Sequence, residues 1–275
     1  MPPSISIIGC GKLGRSLGRL WTQSAVARIA DVLNRSAASS EDAVRFIGAG
    51  RAASSLATLK KNAIYLIGTG DGDIATSCAQ LAATSGLIDE TTTVFHCSGA
   101  LNSGYLQAAR ARGAAVASIH PVKSFALPEL VVNDFAGTFC GVEGDARALA
   151  VLLPLFEAIG AVIVPIDGER KVLYHSAAVM ASNYLVTLLD AACALYAEAG
   201  IGPATALAML APLTRGTLEN VLQAGPEAAL TGPIARGDME TVARQQAALD
   251  AWHPEIGDLY RRFAHLTSGL ARRRP

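Results

Sequence analysis

The sequence has no excess of charge of either sign. Its 275 residues include 23 Lys and Arg and 23 Asp and Glu, which gives a formal net charge of zero. A chain without net charge has no long-range attraction for nucleic acid or for acidic membranes. Composition therefore argues against nucleic-acid and membrane partners and favours a small-molecule substrate.

Cysteine is scarce and follows no pattern. The five cysteines form no CxxC pair, and no His or Cys spacing resembles a metal site. An odd number of such cysteines is typical of reduced thiols inside the cell and not of a disulfide framework. The first predicted strand has no charged and apolar leader ahead of it, so no signal peptide is expected. We expect a cytoplasmic protein that holds no metal.

Long runs free of polar residues and proline are also missing. Residues 148–166 and 177–197 are apolar enough to raise the question of a membrane span. The first stretch, however, contains Pro154 and Glu157, and the second contains Asn183. Both stretches are therefore predicted to be buried core.

A glycine motif follows the first apolar run. Residues 5–8 lead directly into Gly9-Cys10-Gly11-Lys12-Leu13-Gly14, and an amphipathic helical pattern comes next. Gly9 permits a sharp turn, Gly11 lets the backbone approach a phosphate, and Gly14 lets the helix pack on the strand. The free N–H groups at the start of the helix suit an anion. We predict a dinucleotide-binding turn formed by Gly9, Gly11, Lys12, Leu13 and Gly14; the alternative is an ordinary glycine turn in another α/β domain.

The position that would contact the ribose lacks an acid. NAD-specific sites place a carboxylate about 20 residues after the glycine motif, and this chain has Asn34-Arg35-Ser36 there. The cation of Arg35 and the hydroxyl of Ser36 suit a 2′-phosphate, which a carboxylate would repel. We therefore expect NADP(H) as the cofactor. The alternatives are that Arg35 is an ordinary solvated residue, or that Asp31 is the acid.

Short apolar segments bounded by turn residues recur along the first 165 residues. They occupy residues 29–33, 63–67, 93–96, 115–119, 138–142 and 161–165, with helical patterns between several of them. This alternation predicts a Rossmann-like, doubly wound and mostly parallel α/β sheet in a domain of residues 1–166. From residue 169 onward long helical patterns take over, which predicts an all-helical domain of residues 167–275.

Polar residues follow three neighbouring strands. The segments are Gly68-Thr69-Gly70, His96-Cys97-Ser98-Gly99-Ala100 and His120-Pro121-Val122-Lys123. Ligands of open α/β sheets bind at the carboxyl ends of the strands, so these residues are candidates for one site. We assign Thr69 and Gly70 to the cofactor, and Ser98, His120 and Lys123 to the substrate. The alternative is a set of hydrogen-bonded structural residues.

One predicted helix is almost free of charge. Only Asp190 is charged between Lys171 and Glu198, and the polar side chains fall in one stripe: Lys171, His175, Ser182, Asn183, Thr187 and Asp190. At about 100° per residue the stripe is about 160° wide. Burial of such a stripe requires hydrogen-bond partners. The alternatives are a seam between helices or between two copies, and a substrate site in which His175 donates a proton and Asn183 orients the carbonyl.

Five segments together resemble one family. They are residues 9–14, 96–100 and 118–121, the segment from Tyr174 to Asn183, and residues 230–238. Over nearly the whole chain they resemble the Rossmann-like NADP oxidoreductases that carry a carboxy-terminal helical domain of unknown function. That family lies among enzymes similar to 6-phosphogluconate dehydrogenase, ketopantoate reductase and pyrroline-5-carboxylate reductase. The resemblance implies NADP(H) as cofactor and a substrate held in the cleft between two domains.

The resemblance also bears on the catalytic residues. In the relatives similar to ketopantoate reductase, the corresponding helix carries a catalytic Lys two turns before an Asn. Here His175 and Asn183 hold that spacing. Histidine keeps a proton donor but removes a permanent cation, so the same carboxylated substrate is not implied. Lys171 or Lys123 would restore a cation at the substrate.

The sequence thus predicts hydride transfer to or from a small carbonyl or imine substrate. His175 supplies the proton, while Ser98, His120 and Asn183 position the substrate. Two alternatives remain, a nucleotide-binding sensor or interaction protein without turnover, and imine reduction in the manner of pyrroline-5-carboxylate reductase. The size and apolar character of the helical domain also predict a homodimer.

Overall fold

The computed structural model describes residues 1–273. Contacts divide the chain into two compact units, Met1–Met180 and a second that begins at Ala181. The sequence pattern changes from strands to helices near residue 167. The first unit continues past that point and includes most of the helix Lys171–Ala181.

The first unit contains a single eight-stranded sheet. Its strands are β1 (Ser4–Ile8), β2 (Arg28–Leu33), β3 (Arg51–Ala53), β4 (Ile64–Ile67), β5 (Thr93–His96), β6 (Ala115–Pro121), β7 (Phe139–Gly144) and β8 (Val162–Pro165). Their order is β3-β2-β1-β4-β5-β6-β7-β8, and every neighbouring pair is parallel except β6 and β7. The predicted doubly wound, mostly parallel sheet is confirmed. The chain direction across the sheet reverses between β1 and β4, where ligands bind in such folds.

Twelve α-helices accompany the sheet within residues 1–273. The first six are α1 (Lys12–Gln23), α2 (Ala37–Ile47), α3 (Ile74–Ala83), α4 (Gln107–Arg110), α5 (Pro128–Asp134) and α6 (Ala146–Glu157). The others are α7 (Lys171–Ala181), α8 (Asn183–Glu198), α9 (Pro203–Ala229), α10 (Pro233–Arg236), α11 (Met239–Trp252) and α12 (Pro254–Ala271). The predicted all-helical character of the second part of the chain is confirmed.

Hydrophobic clusters cover both faces of the sheet. In β4, Ile64 and Leu66 belong to one cluster and Tyr65 and Ile67 to the other. Successive side chains of a strand point to opposite faces, and all four are fully buried. A strand buried on both faces needs a nearly continuous apolar run, and the four residues of β4 form one.

An aromatic group lies at the centre of the larger cluster. Trp21 of α1 packs edge-on against Phe95 and Phe156, with ring centroids 6.4 and 5.5 Å away. The buried indole N–H donates a hydrogen bond to the Leu155 carbonyl oxygen at 3.2 Å. This contact joins α1 to α6 and so fixes the helix that begins at the glycine motif.

The helix predicted from Lys171 to Glu198 is interrupted. Helix α7 ends at Ala181, Ser182 has φ −116° and ψ −67°, and α8 begins at Asn183. These angles depart from the helical values near −63° and −42°, so the regular rotation per residue is lost at Ser182. The prediction of one continuous polar stripe along this segment was wrong.

The predicted burial of the two apolar stretches has a divided outcome. In α6 the side chains of Ala148, Leu152 and Phe156 are fully buried, as expected, but β8 at the end of the same stretch is mostly exposed, with Val162 41% and Val164 39% accessible. In contrast, no residue of α8 is buried, so the prediction of buried core for residues 177–197 was wrong. The segment Gly168–Glu198 is long and apolar enough to cross a membrane, by length and composition alone. One such segment is weak evidence for a membrane span.

Candidate active site

The glycine turn has the geometry that the motif predicts. Gly9 has φ +81°, and a Cβ atom there would lie 2.6 Å from the Thr69 backbone nitrogen. Gly11 precedes the first turn of α1, and a Cβ atom added there would meet no atom within 4 Å. Gly14 packs α1 on β1, since its Cβ position lies 3.4 Å from an Ile7 methyl group. The first turn of α1, which contains Lys12 and Leu13, has no side-chain cap and no acidic residue.

The loop after β2 is held against this turn by Asn34. Its side-chain oxygen accepts a hydrogen bond from the Cys10 N–H at 2.6 Å, and its amide donates to the Ser39 carbonyl oxygen at 2.9 Å. Ser36 caps α2 by accepting from the Ser39 N–H at 3.2 Å. Arg35 is exposed and has no ion-pair partner within residues 1–273. Asn34 thus positions the loop, while the cation of Arg35 is free to bind a ligand.

Asp31 is not available to a ribose. Its side chain is 3% exposed and accepts hydrogen bonds from Arg51 Nε at 2.8 Å and the Lys60 N–H at 2.9 Å. Both carboxylate oxygens of Asp31 are therefore bound by the protein. These contacts argue against the alternative in which Asp31 is the ribose-binding acid.

A second loop meets the glycine turn from β4. A Cβ atom at Gly68 would lie 2.6 Å from the Gly9 carbonyl oxygen, so the two loops touch through backbone. The Thr69 hydroxyl oxygen beside them is fully buried without a hydrogen-bond partner. Buried polar atoms in folded proteins nearly always have partners. The hydroxyl of Thr69, with the open backbone of Gly11 and Gly70, fits a dinucleotide held at this edge.

The loop after β5 is fixed by the hydroxyl of Ser98. This hydroxyl donates to Asp71 Oδ2 at 2.9 Å and accepts from the N–H groups of Ala100 at 3.2 Å and Leu101 at 3.0 Å. All of these partners belong to the protein. Ser98 therefore shapes the loop, and its hydroxyl is already committed within the protein, although the sequence predicts a contact with the substrate.

His96 is a structural residue at the end of β5. Its Nδ1 accepts from the Ser98 N–H at 3.1 Å, which places the ring hydrogen on Nε2, where it is donated to the Asn102 carbonyl oxygen at 3.1 Å. Burial lowers the pKa of His96 to about 4, because the charged ring would lose its hydration. At neutral pH this imidazole is therefore uncharged.

Lys171 lies beneath the same loop and is only 1% exposed. Its ammonium group donates to the carbonyl oxygens of Ser98 at 2.8 Å and Leu101 at 2.6 Å and to the Ser118 hydroxyl. Burial lowers its pKa to about 8, while the carboxylate of Glu143, 3.8 Å away, acts in the opposite direction. The cation of Lys171, which the sequence analysis proposed for substrate binding, instead attaches α7 to the loop after β5 and to β6.

Two imidazole rings meet above Gly99. The rings of His120 and His175 are perpendicular with centroids 5.3 Å apart, and Nδ1 of His120 lies 3.0 Å from the Tyr174 hydroxyl. Nδ1 of His175 is fully buried and has no hydrogen-bond partner. Burial is the main cause that lowers the pKa of His120 to about 4, and the neighbouring His175 adds to the effect. His120 is therefore neutral near pH 7.

Lys123 and Asn183 complete the set of residues predicted to contact a substrate. The ammonium of Lys123 forms an ion pair with Asp134 at 3.1 Å and donates to the carbonyl oxygen of the same residue at 3.0 Å. Asn183 is exposed in the first turn of α8 and belongs to the second unit. The structure thus brings together Ser98, His120 and His175 from the predicted set, and their contacts with a substrate stay a prediction.

Sequence reasoning did not single out Tyr174, Asp71 or Gly99 as parts of this site. Tyr174 and Gly99 lie in segments that carried the family resemblance, and Asp71 follows β4. The sequence therefore placed all three residues near the site but did not indicate what their side chains contact. Hydrogen-bond partners depend on side-chain direction, which spacing does not specify. No cluster of three or more His, Cys, Asp or Glu residues suited to a metal occurs in residues 1–273.

The fold defines a Rossmann-like protein with a helical second unit. Residues 2–121 match the model of a Rossmann-like domain, and residues 138–267 match a domain of unknown function, DUF2520. These two matches confirm the two-part resemblance seen in the sequence, a Rossmann-like domain followed by a carboxy-terminal domain of unknown function.

Several solved structures are similar to nearly the whole chain. Protein TM1727 of Thermotoga maritima is 27% identical, with a TM-score of 0.75 and 98% of both chains covered. Protein BF3122 of Bacteroides fragilis, provisionally named an NADP oxidoreductase, is 19% identical, with a TM-score of 0.79 and 98% of both chains covered. An imine reductase of Myxococcus stipitatus in complex with NADP+ is 20% identical, with a TM-score of 0.64; 98% of this chain and 93% of that one are covered. No curated protein sequence matches the chain.

Proposed function

We propose that the protein is an NADP(H)-dependent oxidoreductase that transfers a hydride to or from a small carbonyl or imine substrate. One observation carries the proposal. The open turn at Gly11, the unpartnered hydroxyl of Thr69 and the ring of His175 over Gly99 all border the loops that follow β1, β4 and β5 of one sheet. Structural neighbours that are NADP-dependent reductases support oxidoreductase chemistry in general.

The cofactor would be held by backbone at one end and by a cation at the other. Gly11 and the start of α1 would bind the pyrophosphate, because their N–H groups have no acidic competitor. Thr69 Oγ would gain the partner that it lacks. Arg35 and the hydroxyl hydrogen of Ser36 would bind the 2′-phosphate of NADP(H). When bound, the cofactor supplies or accepts the hydride.

The substrate would be bound on the histidine side of the same edge. His175 would give a proton to the oxygen or nitrogen of the substrate, and His120 would orient the reacting group as a neutral ring. Ser98 and Lys171 would act indirectly by holding the loop that contains Gly99.

We also propose that the protein is a homodimer. The second unit exposes large apolar side chains on α9, among them Leu213 (60% exposed), Leu218 (51%) and Leu222 (77%). Extensive exposed apolar surface marks an interaction site. A second copy is the favoured occupant because homo-oligomers with two-fold symmetry are the commonest assemblies. The cytoplasmic location and the absence of nucleic-acid and membrane partners stay predictions.

The cofactor assignment is tested by matched titrations with NADPH and NADH. Wild-type protein should bind NADPH more tightly. Arg35→Ala should weaken NADPH about tenfold or more, because a charge-assisted contact with the phosphate is lost, and should leave NADH nearly unchanged. Tighter binding of NADH by the wild type would overturn the assignment.

The reaction is tested with a panel of keto acids, aldehydes and cyclic imines and with the variant His175→Ala. We expect turnover of NADPH with one substrate class, and a loss of about a hundredfold or more in the variant with unchanged NADPH binding. Full turnover by His175→Ala would remove the assigned acid. NADPH binding without turnover on the whole panel would favour a nucleotide sensor.

A further inference from the structure

The two imidazole rings converge on a point that a side chain would normally occupy. A Cβ atom at Gly99 would lie 2.8 Å from His120 Nε2 and closer still to His175 Nδ1. Gly99 has an ordinary negative φ, so backbone strain does not explain the glycine. The missing side chain is instead what allows the two ring nitrogens to approach each other.

The nitrogen on the His175 side lacks a partner. Its Nδ1 is fully buried, and no hydrogen-bond acceptor contacts it. A neutral ring can leave this nitrogen without a hydrogen. A doubly protonated ring cannot, because an N–H group buried without an acceptor carries the full desolvation penalty. A proton donor at this position therefore needs an acceptor nearby.

His120 can provide that acceptor. Its Nδ1 lies 3.0 Å from the Tyr174 hydroxyl, so this nitrogen can carry the ring hydrogen and donate it to the phenol oxygen. His120 Nε2 is then left as a bare acceptor facing the same point as His175 Nδ1. Its low pKa, near 4, keeps it in this neutral form although Asp71 acts to raise that value.

We propose that Gly99 is a positioning residue whose missing side chain lets His120 accept the Nδ1 hydrogen of a protonated His175. The inference rests on the proposed function. During reduction, the Nε2 proton of His175 passes to the substrate oxygen or nitrogen, and a hydride with its electron pair arrives at the carbon from the reduced cofactor. His175 is left neutral, with its remaining hydrogen on Nδ1 held by His120. The group that this arrangement recognises is an acceptor atom, either a carbonyl oxygen or an imine nitrogen.

The test is a nuclear magnetic resonance experiment on protein labelled with ¹⁵N-histidine. The chain has five histidines. In the wild type, the doubly protonated form of His175 should show an exchange-protected imidazole N–H signal from Nδ1. His175→Gln assigns the signal by removing it. The same signal should be lost in His120→Phe, which removes the acceptor, and in Gly99→Ala, which places a methyl group between the rings.

Two controls separate this result from loss of structure. The Nε2 hydrogen of His96, bound to the Asn102 carbonyl oxygen, should give a protected signal in every folded variant. Gly216→Ala adds a methyl group that meets no atom within 4 Å and should keep all signals. If Gly99→Ala does not fold, His120→Phe alone decides the matter.

The outcomes also separate this inference from the proposed function. Absence of the His175 signal in the wild type, or its survival in folded His120→Phe, would overturn the pairing even if the protein reduces a substrate. If the protein gives the expected signals but reduces no substrate of the panel, the pairing of the two histidines is supported and the enzymatic proposal is overturned. A loss of turnover in Gly99→Ala of tenfold or more, with unchanged NADPH binding, would connect the two.

Discussion

Gly9 and Gly11 lie two residues apart in one turn, yet a methyl group would have different effects at each. At Gly9 it would strain a left-handed backbone with φ +81° and collide with Thr69. At Gly11 it would meet nothing within 4 Å. We expect Gly9→Ala to lower the free energy of unfolding by about 1–3 kcal/mol. Gly11→Ala should fold normally but bind NADPH at least tenfold more weakly, since its methyl group fills the approach of the phosphate.

Urea unfolding and NADPH titration of the two variants check this prediction. Equal stability losses for Gly9→Ala and Gly11→Ala would contradict the distinction between a turn residue and a ligand-contact residue. So would unchanged NADPH binding in Gly11→Ala.

The buried histidines make stability depend on pH. The pKa values of His96 and His120 fall from 6.5 to about 4 on folding, so the unfolded chain binds more protons between these values. The free energy of unfolding should therefore decrease as the pH falls through this window, by about 2 kcal/mol per ring at pH 5 relative to pH 7. Urea unfolding at the two pH values measures it. In His96→Asn the decrease should shrink, and an equal stability at both pH values would contradict the shifts.

At the residue scale, the chemistry of backbone positions was more predictable than that of side chains. The roles of Gly9, Gly11 and Gly14 follow from the lack of a Cβ atom, and this is known as soon as the residue is read as glycine. Ser98 and Lys171 were predicted to meet a substrate, but their polar atoms bind the protein. Hydrogen-bond partners of this kind come from distant segments, and no local pattern encodes them.

At the scale of elements, the buried side chain of Lys171 attaches the start of α7 to the loop after β5 and to β6. Lys171→Met would leave the carbonyl oxygens of Ser98 and Leu101 without their buried donor. We expect a loss of about 2–4 kcal/mol in the free energy of unfolding at pH 7. Lys60→Met, at an exposed lysine with no side-chain ion pair in residues 1–273, is the matched control and should change stability little.

The titration of Lys171 gives this prediction a second measurement. Its pKa falls from 10.5 to about 8 on folding, so between these values the unfolded chain retains a proton that the folded chain has released. The free energy of unfolding should therefore gain a rising contribution from pH 8 to pH 10.5. Lys171→Met should lack that contribution; an identical pH dependence in both proteins would contradict the assignment.

Element types were predictable and their interruptions were not. Seven strands were predicted near their observed positions, because each is an apolar run between turn residues. The strand β3 was missed, since three residues are too few to show a pattern. The break at Ser182 was missed as well. Helical propensity continues through that residue, and neither Gly nor Pro marks the interruption.

At the scale of the whole molecule, association is the property to measure. We expect light scattering after size-exclusion chromatography to give twice the chain mass at micromolar concentration. Leu218→Asp with Leu222→Asp should shift the protein to the monomer, because charge on an apolar interface is desolvated without a partner. Leu130→Asp, at an equally exposed leucine of α5, should leave the dimer intact. A monomeric mass for the wild type would contradict the dimer. So would wild-type protein that is found only bound to lipid vesicles.

The division of the molecule into two types of structure was predictable from the change in pattern near residue 167. The exposure of α8 was not, because composition alone does not say whether an apolar helix is covered by its own chain or by another molecule.

The aromatic contact of Trp21 has a practical consequence. The chain has two tryptophans, Trp21 in the first unit and Trp252 in the second. Trp21 is fully buried against two phenylalanine rings, while Trp252 neighbours His253 at the end of α11. A Trp252→Phe protein would therefore emit tryptophan fluorescence from the first unit alone, and a Trp21→Phe protein from the second unit alone. The order in which the two units melt can thus be followed optically, without any attached dye.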